Sequence, residues 1–146
     1  PLFTGQSLRA LVDEHEASEN AATLATATLD DPTGYGRIVR DNDGQFTRIV
    51  EHKDATDAQR QITEVNISSY CFDSDKMFAA LESVSTDNAQ GEYYLTDVLE
   101  ILRTQGLGVS AANTIPGHEA EGINTTEQLQ RVDRMLRERE SKGISQ

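Results

Sequence analysis

The chain reads DDPTGYGR at residues 30–37, IVEHKDA at residues 49–55 and EVN at residues 64–66. Gly34 and Gly36 follow a proline, and residues without a Cβ allow a backbone to approach a bound group closely. Glu51 and Asn66 each stand at the edge of an apolar, strand-like run. Backbone N–H groups, a carboxylate and a carboxamide are the donors and acceptors that hold a polyhydroxylated ligand. We therefore interpret this stretch as a polar pocket for a sugar.

Strand-like and helical patterns alternate on both sides of this stretch. The turn residues 41–44 lie between two β-rich runs and predict a hairpin. Residues 52–61 predict a surface loop or a short helix. Alternating strands and helices indicate the α/β class, and the hairpin makes the predicted sheet mixed, with flanking helices. The other predicted strands cover 21–29, 63–72 and 107–112, and the predicted helices run from 4 to about 17, from 74 to 84, from 95 to 106 and from 125 onward.

Apolar residues at helical spacing give each of the last three helices a predicted inner face. The stripe on the final helix is thin and its other residues are charged, so we expect this helix on the outside of the molecule. The predicted inward residues are Met77, Phe78, Leu81 and Val84 in one helix, Leu95, Val98, Leu99 and Leu102 in the next, and Leu129, Val132, Met135 and Leu136 in the last.

The composition excludes several classes of protein. A chain of 146 residues is about one domain. Its formal net charge of −12 disfavours binding to nucleic acid or to an anionic membrane. A single cysteine cannot form an internal disulfide framework, which favours a reducing compartment. The sequence has no apolar run of membrane-spanning length and no signal peptide at Pro1, so we expect a cytoplasmic protein with no membrane partner.

Each candidate residue also has a structural interpretation. The glycine pair is compatible with a tight turn, Glu51 with a solvated strand end, and Asn124 with the start of the last helix. Cys71 lies in an apolar strand and is best interpreted as a buried, inert thiol. The chain has no phosphate-binding loop, dinucleotide fingerprint, zinc motif or nucleophile elbow. Composition and spacing alone therefore support an acidic α/β domain with a polar pocket.

The order of five motifs is more specific than any one of them. Taken together, they resemble the uridyltransferase domain of the bacterial bifunctional N-acetylglucosamine-1-phosphate uridyltransferase / glucosamine-1-phosphate acetyltransferase. The resemblance extends from residue 1 to about residue 139. It implies the C-terminal half of a Rossmann-like nucleotide-diphospho-sugar transferase domain. The motifs are DDPTGYGR at 30–37, VEHKDA at 50–55, EVN at 64–66, NAQGEYYLTD at 88–97 and GIN at 122–124.

The resemblance also implies roles for individual residues. Gly36 would offer its backbone to the sugar, Glu51 would accept hydrogen bonds from sugar hydroxyls, and Asn66 would bond the sugar or its N-acetyl group. Asn124 resembles the family's carboxamide ligand to Mg²⁺. Two further residues are implied as walls of the pocket: Tyr94 and Thr96.

The implied partners are UTP, N-acetylglucosamine 1-phosphate and the product UDP-N-acetylglucosamine. The sugar phosphate would attack the α-phosphorus of UTP in line, and pyrophosphate would leave. Because this nucleophile is already ionised, no general base is needed, and no catalytic side chain is predicted in the chain. Positioning, Mg²⁺ and basic side chains would then carry the reaction.

The chain also departs from the family. The nucleotide-binding half, with its lysine-containing glycine loop and metal-binding aspartate, and the acetyltransferase domain have no counterpart in residues 1–146, so we expect a partial, sugar-binding domain that is inactive alone. The alternatives are a non-catalytic nucleotide-sugar-binding module and a structural remnant. Half a domain exposes an apolar face, through which we expect self-association. Ser68 also stands where the family usually has glycine.

Overall fold

The computed structural model of the chain describes residues 2–86, 93–123 and 126–141. Helices and strands are interspersed along these ranges, as the sequence predicts. The helices are α1 (Gly5–Ser18), α2 (Asp57–Arg60), α3 (Ser74–Leu81), α4 (Leu95–Thr104) and α5 (Thr126–Ser141), and the strands are β1 (Ala22–Thr28), β2 (Arg37–Arg40), β3 (Phe46–Val50), β4 (Glu64–Phe72) and β5 (Val109–Ala112).

The five strands form one mixed sheet in the order β3-β2-β4-β1-β5. β1 pairs in parallel with β5 and antiparallel with β4, and β2 pairs antiparallel with both β3 and β4. The predicted mixed sheet is therefore confirmed. β1 lies between two neighbours and is buried along nearly its whole length, which explains its run of small and apolar residues without polar alternation.

Local sequence signals set the ends of several elements. The Thr4 side chain accepts a hydrogen bond from the backbone N–H of Ser7 and begins α1. Asp73 caps α3 in the same way. In the hairpin turn, the Asp41 carboxylate accepts hydrogen bonds from the N–H groups of residues 43 and 45, at 3.0 and 2.9 Å. Gly106 has a φ of +77° after the end of α4, a backbone conformation in which glycine avoids the Cβ clash of other residues.

The sheet is covered on both faces. On one face, Leu24 of β1 and the hairpin residues Ile38 and Phe46 pack with apolar residues of α3 and α4. On the other face, Ala25 and its neighbours pack with Leu11 of α1 and with the segment that follows β5. Alternate residues of β1 therefore enter two separate cores. None of the helices in the described ranges combines the length and the apolar character that a bilayer span requires.

Four of the predicted inward residues face solvent. Leu95 and Leu129 are 45% and 52% exposed in the first turns of α4 and α5. In α3 the prediction was wrong for Phe78 and Leu81, which are 63% and 39% exposed. This helix packs through the fully buried Ala80 and the partly buried Met77, and the helical period turns Phe78 away from the face that these two residues form.

Candidate functional site

Three of the predicted site residues lie together. The backbone N–H of Asn66 donates to the carbonyl of Gly36 at 2.8 Å. A Cβ placed on Gly36 would lie 2.8 Å from the Ile49 Cγ2 methyl and 3.3 Å from the Glu51 Oε1. The glycine therefore allows its backbone to approach the Glu51 carboxylate more closely than any other residue would. Gly36, Glu51 and Asn66, which are separated by up to 30 positions in the sequence, form one polar cluster, called here the Gly36 cluster.

The backbone of Gly36 is held on its carbonyl side. The Gly36 carbonyl accepts a hydrogen bond from the Asn66 N–H, and the Tyr35 carbonyl accepts one from the Arg37 guanidinium. Among the described residues, the loop and turn backbone hydrogen bonds include none donated by the Gly36 N–H. This N–H and the Glu51 carboxylate are a donor and an acceptor, the two types of group that a hydroxyl bonds through its oxygen and its hydrogen.

Arg37 is a member of this site that the sequence did not reveal. The residue is only 1% exposed, and its Nη2 lies 3.3 Å from the Nδ1 of His52. A guanidinium has donors only, so the His52 Nδ1 is the acceptor in this contact. Burial lowers the pKa of Arg37, although nearby Asp31 opposes this effect. Arg37 thus ties the glycine loop to the turn that follows Glu51.

A β-bulge in β4 shapes the other side of the cluster. Asn66 is 7% exposed, and its Oδ1 accepts a hydrogen bond from the Ser68 N–H at 3.1 Å. Its Nδ2 donates to the Tyr70 hydroxyl at 2.9 Å. Ser68 has a φ of +57°, a left-handed conformation that disfavours residues other than glycine, asparagine and aspartate. The glycine that the family usually has at this position was the one sequence signal for this bend.

Tyr70 is a second residue that sequence reasoning missed. Burial raises the pKa of Tyr70, and the negative charge of Glu51 acts in the same direction. Hydrogen bonds to the side chains of Asn66 and Ser68 oppose this rise. The Tyr70 hydroxyl lies within hydrogen-bonding distance of both polar atoms of the Asn66 carboxamide, so Tyr70 adjoins the Gly36 cluster.

Tyr35 connects the glycine loop to a distant segment. Its hydroxyl donates to the Ala120 carbonyl at 3.2 Å and accepts from the Gly122 N–H at 2.8 Å. Asn124, the predicted Mg²⁺ ligand, follows this segment but lies outside the described residues. Among residues 2–86, 93–123 and 126–141, no three His, Cys, Asp or Glu side chains are grouped as a metal site. The Mg²⁺ site thus stays a prediction from the resemblance.

A cavity of about 520 Å³ lies on the Tyr35 side of the glycine loop. Its lining includes Asp30 and Asp31 from the loop and Glu121 and Arg131, which form an ion pair of 2.7 Å. None of the three residues of the Gly36 cluster lines this cavity. The cavity and the Gly36 cluster are therefore two separate polar regions.

Tyr94 and Thr96 are not joined to the Gly36 cluster by these contacts. Tyr94 is the residue that precedes α4, and Thr96 lies in its first turn. This helix packs against α3, β3 and β5. The two residues therefore remain pocket-wall predictions that rest on the resemblance.

Two other side chains that could react chemically, His15 and Cys71, are best interpreted as structural residues. The Nδ1 of His15 lies 3.0 Å from the hydroxyl of Thr23, a fully buried residue of β1. Cys71 is partly rather than fully buried. Burial raises the pKa of its thiol, and Glu16 adds to the effect. A raised pKa keeps the sulfur protonated and a poor nucleophile, in agreement with its interpretation as an inert thiol.

Comparison with known proteins identifies the class. Residues 2–114 match the nucleotidyl transferase family, and the chain belongs to this family. It is 48% identical over 139 residues to the bifunctional protein GlmU of Geobacillus sp. (strain WCH70), a match that covers 95% of this chain and 30% of that protein. It is 44% identical over 142 residues to the bifunctional protein GlmU of Bacillus subtilis (strain 168), covering 97% of this chain and 31% of that protein. The resemblance that the five motifs predict is confirmed.

Solved structures confirm the fold. A putative glucose-1-phosphate thymidylyltransferase from Bacillus anthracis, crystallised with sucrose, aligns with a TM-score of 0.63 and 20% identity, covering 89% of this chain and 49% of that chain. A nucleoside-diphosphate-sugar pyrophosphorylase from Vibrio cholerae RC9 aligns with a TM-score of 0.61 and 14% identity, covering 82% and 48%. The chain spans about three-tenths of the length of the curated relatives described above, 30% and 31%.

Proposed function

We propose that the Gly36 cluster is the sugar site of a uridyltransferase that makes UDP-N-acetylglucosamine and pyrophosphate from UTP and N-acetylglucosamine 1-phosphate. The observation that supports this most strongly is the meeting of a backbone donor, a carboxylate and a carboxamide at Gly36, Glu51 and Asn66. Identity of 44% and 48% to bifunctional GlmU proteins supports the choice of substrates. Because the chain spans about three-tenths of the length of those proteins, the complete reaction is proposed for a polypeptide of their length.

Each residue of the cluster would bind a different part of the sugar. The Gly36 N–H would donate to a hydroxyl oxygen, while the Glu51 carboxylate would accept the hydrogen of the same or a neighbouring hydroxyl. Asn66 would contact the 2-acetamido side of the ring. Since the attacking phosphate is already anionic, the contribution of this chain is orientation of the sugar phosphate toward the nucleotide.

Mg²⁺ would neutralise charge on the transferred group, with Asn124 as the ligand that this chain would supply. The sugar contacts proposed above do not depend on that metal. Self-association also remains a prediction from the partial domain.

Titration of the purified chain with UDP-N-acetylglucosamine, followed by isothermal calorimetry or NMR, tests the proposal. We expect saturable binding that Glu51→Gln weakens by about 10- to 100-fold, because hydrogen bonds to a charged group contribute roughly 1.5–3 kcal/mol. Glu82→Gln serves as the matched control, since Glu82 is an exposed residue at the end of α3. Absence of binding, or equal loss in both variants, would contradict the proposed site.

A further inference from the structure

We propose that Tyr70 is a positioning residue of the sugar site, which holds the Asn66 carboxamide so that one of its N–H groups is directed at a ligand oxygen. This inference rests on the proposed function, because it concerns the same pocket. Under this proposal, the bulge in β4 helps to determine which chemical group of a ligand the site binds.

The bulge is what brings the two side chains together. Thr26 of β1 pairs with Asn66, and Leu24 pairs with Tyr70. A single residue of β1, Ala25, therefore lies opposite residues 67–69 of β4. In a regular strand, residues four apart are separated by roughly 13 Å, at about 3.3 Å per residue. Pairing with partners only two residues apart reduces that separation to roughly 7 Å, and Asn66 and Tyr70 become neighbours on one side of the strand.

The hydrogen bonds fix which way the carboxamide points. A backbone N–H can only donate, so the Asn66 atom that faces the Ser68 N–H at 3.1 Å is the oxygen. The Tyr70 hydroxyl lies 2.9 Å from Nδ2 and 3.2 Å from Oδ1. Without Tyr70, only one contact would restrain the amide, and its Nδ2 would be free to rotate about the last side-chain bond.

Counting donors and acceptors then defines the ligand group. The Oδ1 of Asn66 has two lone pairs, which the Ser68 N–H and the Tyr70 hydroxyl occupy. Nδ2 has two hydrogens, of which one is directed at Tyr70. The remaining capacity is a single N–H donor, so the complementary ligand atom is an acceptor oxygen. The carbonyl of an acylamino group has this chemistry, whereas a bare ammonium group at the same carbon does not.

Tyr70 can perform this role across the neutral pH range. Burial and the nearby Glu51 charge raise the pKa of the phenol, so it stays protonated and keeps the hydrogen that it offers to Oδ1. Conversion to phenylalanine removes this hydroxyl and leaves the ring, which contacts Phe72 at a centroid distance of 5.7 Å. The ring packing is therefore preserved in the test variant.

The experiment compares the wild-type chain with Tyr70→Phe by ¹⁵N NMR. In the wild type we expect the Asn66 side-chain NH₂ to give two separate signals, with one hydrogen exchanging more slowly than in exposed asparagines. In Tyr70→Phe we expect that protection to be lost. Tyr93→Phe is the matched control, because Tyr93 is 74% exposed and loses the same hydroxyl. A wild-type NH₂ that exchanges as fast as exposed amides would overturn the proposal without any variant.

Ligand binding is measured separately on the same proteins. We expect Tyr70→Phe to bind UDP-N-acetylglucosamine about two- to tenfold more weakly than the wild type, the range for loss of one neutral hydrogen bond, with binding by Tyr93→Phe unchanged. We expect affinity for UDP-glucosamine, which lacks the acyl carbonyl, to change less. If the wild type binds UDP-N-acetylglucosamine and Tyr70→Phe binds it with the same affinity, the positioning role of Tyr70 is refuted but the proposed function is not. Failure of the wild type to bind refutes the proposed function, while the Asn66 signals still decide the role of Tyr70 in holding the amide.

Discussion

Replacement of Glu64 by glutamine tests how the sheet that carries the site is held together. Glu64 forms a bidentate pair with Arg40, with 2.8 Å to Nε and 2.7 Å to Nη2, and it accepts a third hydrogen bond from Thr26 at 2.6 Å. Arg40 also donates to the Ala111 carbonyl at 2.9 Å. These contacts join β2, β4, β1 and β5. Only 19% of the Glu64 side chain and 30% of the Arg40 side chain are exposed.

The magnitude follows from this geometry. Glutamine retains one acceptor oxygen but presents an NH₂ group to a guanidinium that has only donors. One charge-assisted hydrogen bond is lost, and the Arg40 charge is left partly buried without its counter-ion. We expect the free energy of unfolding to fall by about 2–3 kcal/mol and the melting temperature by roughly 5–10 °C. Urea unfolding, followed by circular dichroism at pH 7, measures the change.

The pH dependence gives this prediction its sharpest test. Partial burial acts to raise the pKa of Glu64, but hydrogen bonds from Arg40 and Thr26 outweigh it and hold the pKa below its ordinary value. A carboxyl whose pKa is lowered by folding stabilises the protein above its unfolded pKa, and this contribution is lost as the pH falls through the folded pKa. The difference between wild type and Glu64→Gln should therefore be constant from pH 7 to about 5 and shrink below about 4.5.

A matched control uses an exposed ion pair. Asp133 lies 2.8 Å from Arg137 on α5, with side chains 54% and 75% exposed. Asp133→Asn should leave the unfolding curve unchanged, because exposed pairs contribute little. The reasoning is refuted if Glu64→Gln is as stable as the wild type at pH 7, or if the difference persists undiminished at acid pH.

Two further predictions concern the Gly36 cluster and its bulge. Gly36→Ala should weaken binding of UDP-N-acetylglucosamine at least tenfold and lower the free energy of unfolding by about 1–3 kcal/mol, because the new Cβ meets the Ile49 methyl at 2.8 Å. Gly5→Ala is the control, since nothing lies within 4 Å of its Cβ, and it should change neither binding nor stability. Calorimetry and thermal unfolding compare the two variants, and equal behaviour would contradict the close approach. Ser68→Gly should raise the melting temperature by about 2–4 °C, because it relieves a φ of +57° at a cost of roughly 1 kcal/mol; a lower melting temperature in a thermal scan would show that the serine is unstrained.

Local signals in the sequence predicted most elements and their ends. Thr4 and Asp73 are residue types that commonly cap helices, and the turn at residues 41–44 contains the Asp41 side chain that stabilises it. The same holds for β1, whose buried composition distinguishes it from an edge strand. These features depend on residues within a few positions of each other, so their pattern is visible without a structure.

Contacts between residues that are distant in the sequence were harder to predict from the sequence. Arg37 looks like an ordinary strand-end cation until the turn at His52 covers it. Tyr70 follows Asn66 at a spacing that a regular strand would keep apart, and only the bulge brings the two together. The residue types of Gly36, Glu51 and Asn66 indicated a sugar pocket, but their individual roles came from the family resemblance, because spacing along the sequence does not define distances between strands.

The hydrogen bonds of Tyr35 have a consequence for the order of folding. Asn66 reaches Gly36 across 30 residues within the group of strands β2, β3 and β4, whereas Gly122 reaches the Tyr35 hydroxyl across 87 residues. Closing the longer loop costs about 0.9 kcal/mol more in chain entropy, and it also requires α3, α4 and β5 to be in place. We therefore expect a nascent or refolding chain to assemble the Gly36 cluster early, and to form the contacts of Tyr35 with Ala120 and Gly122 only when the last third of the polypeptide arrives.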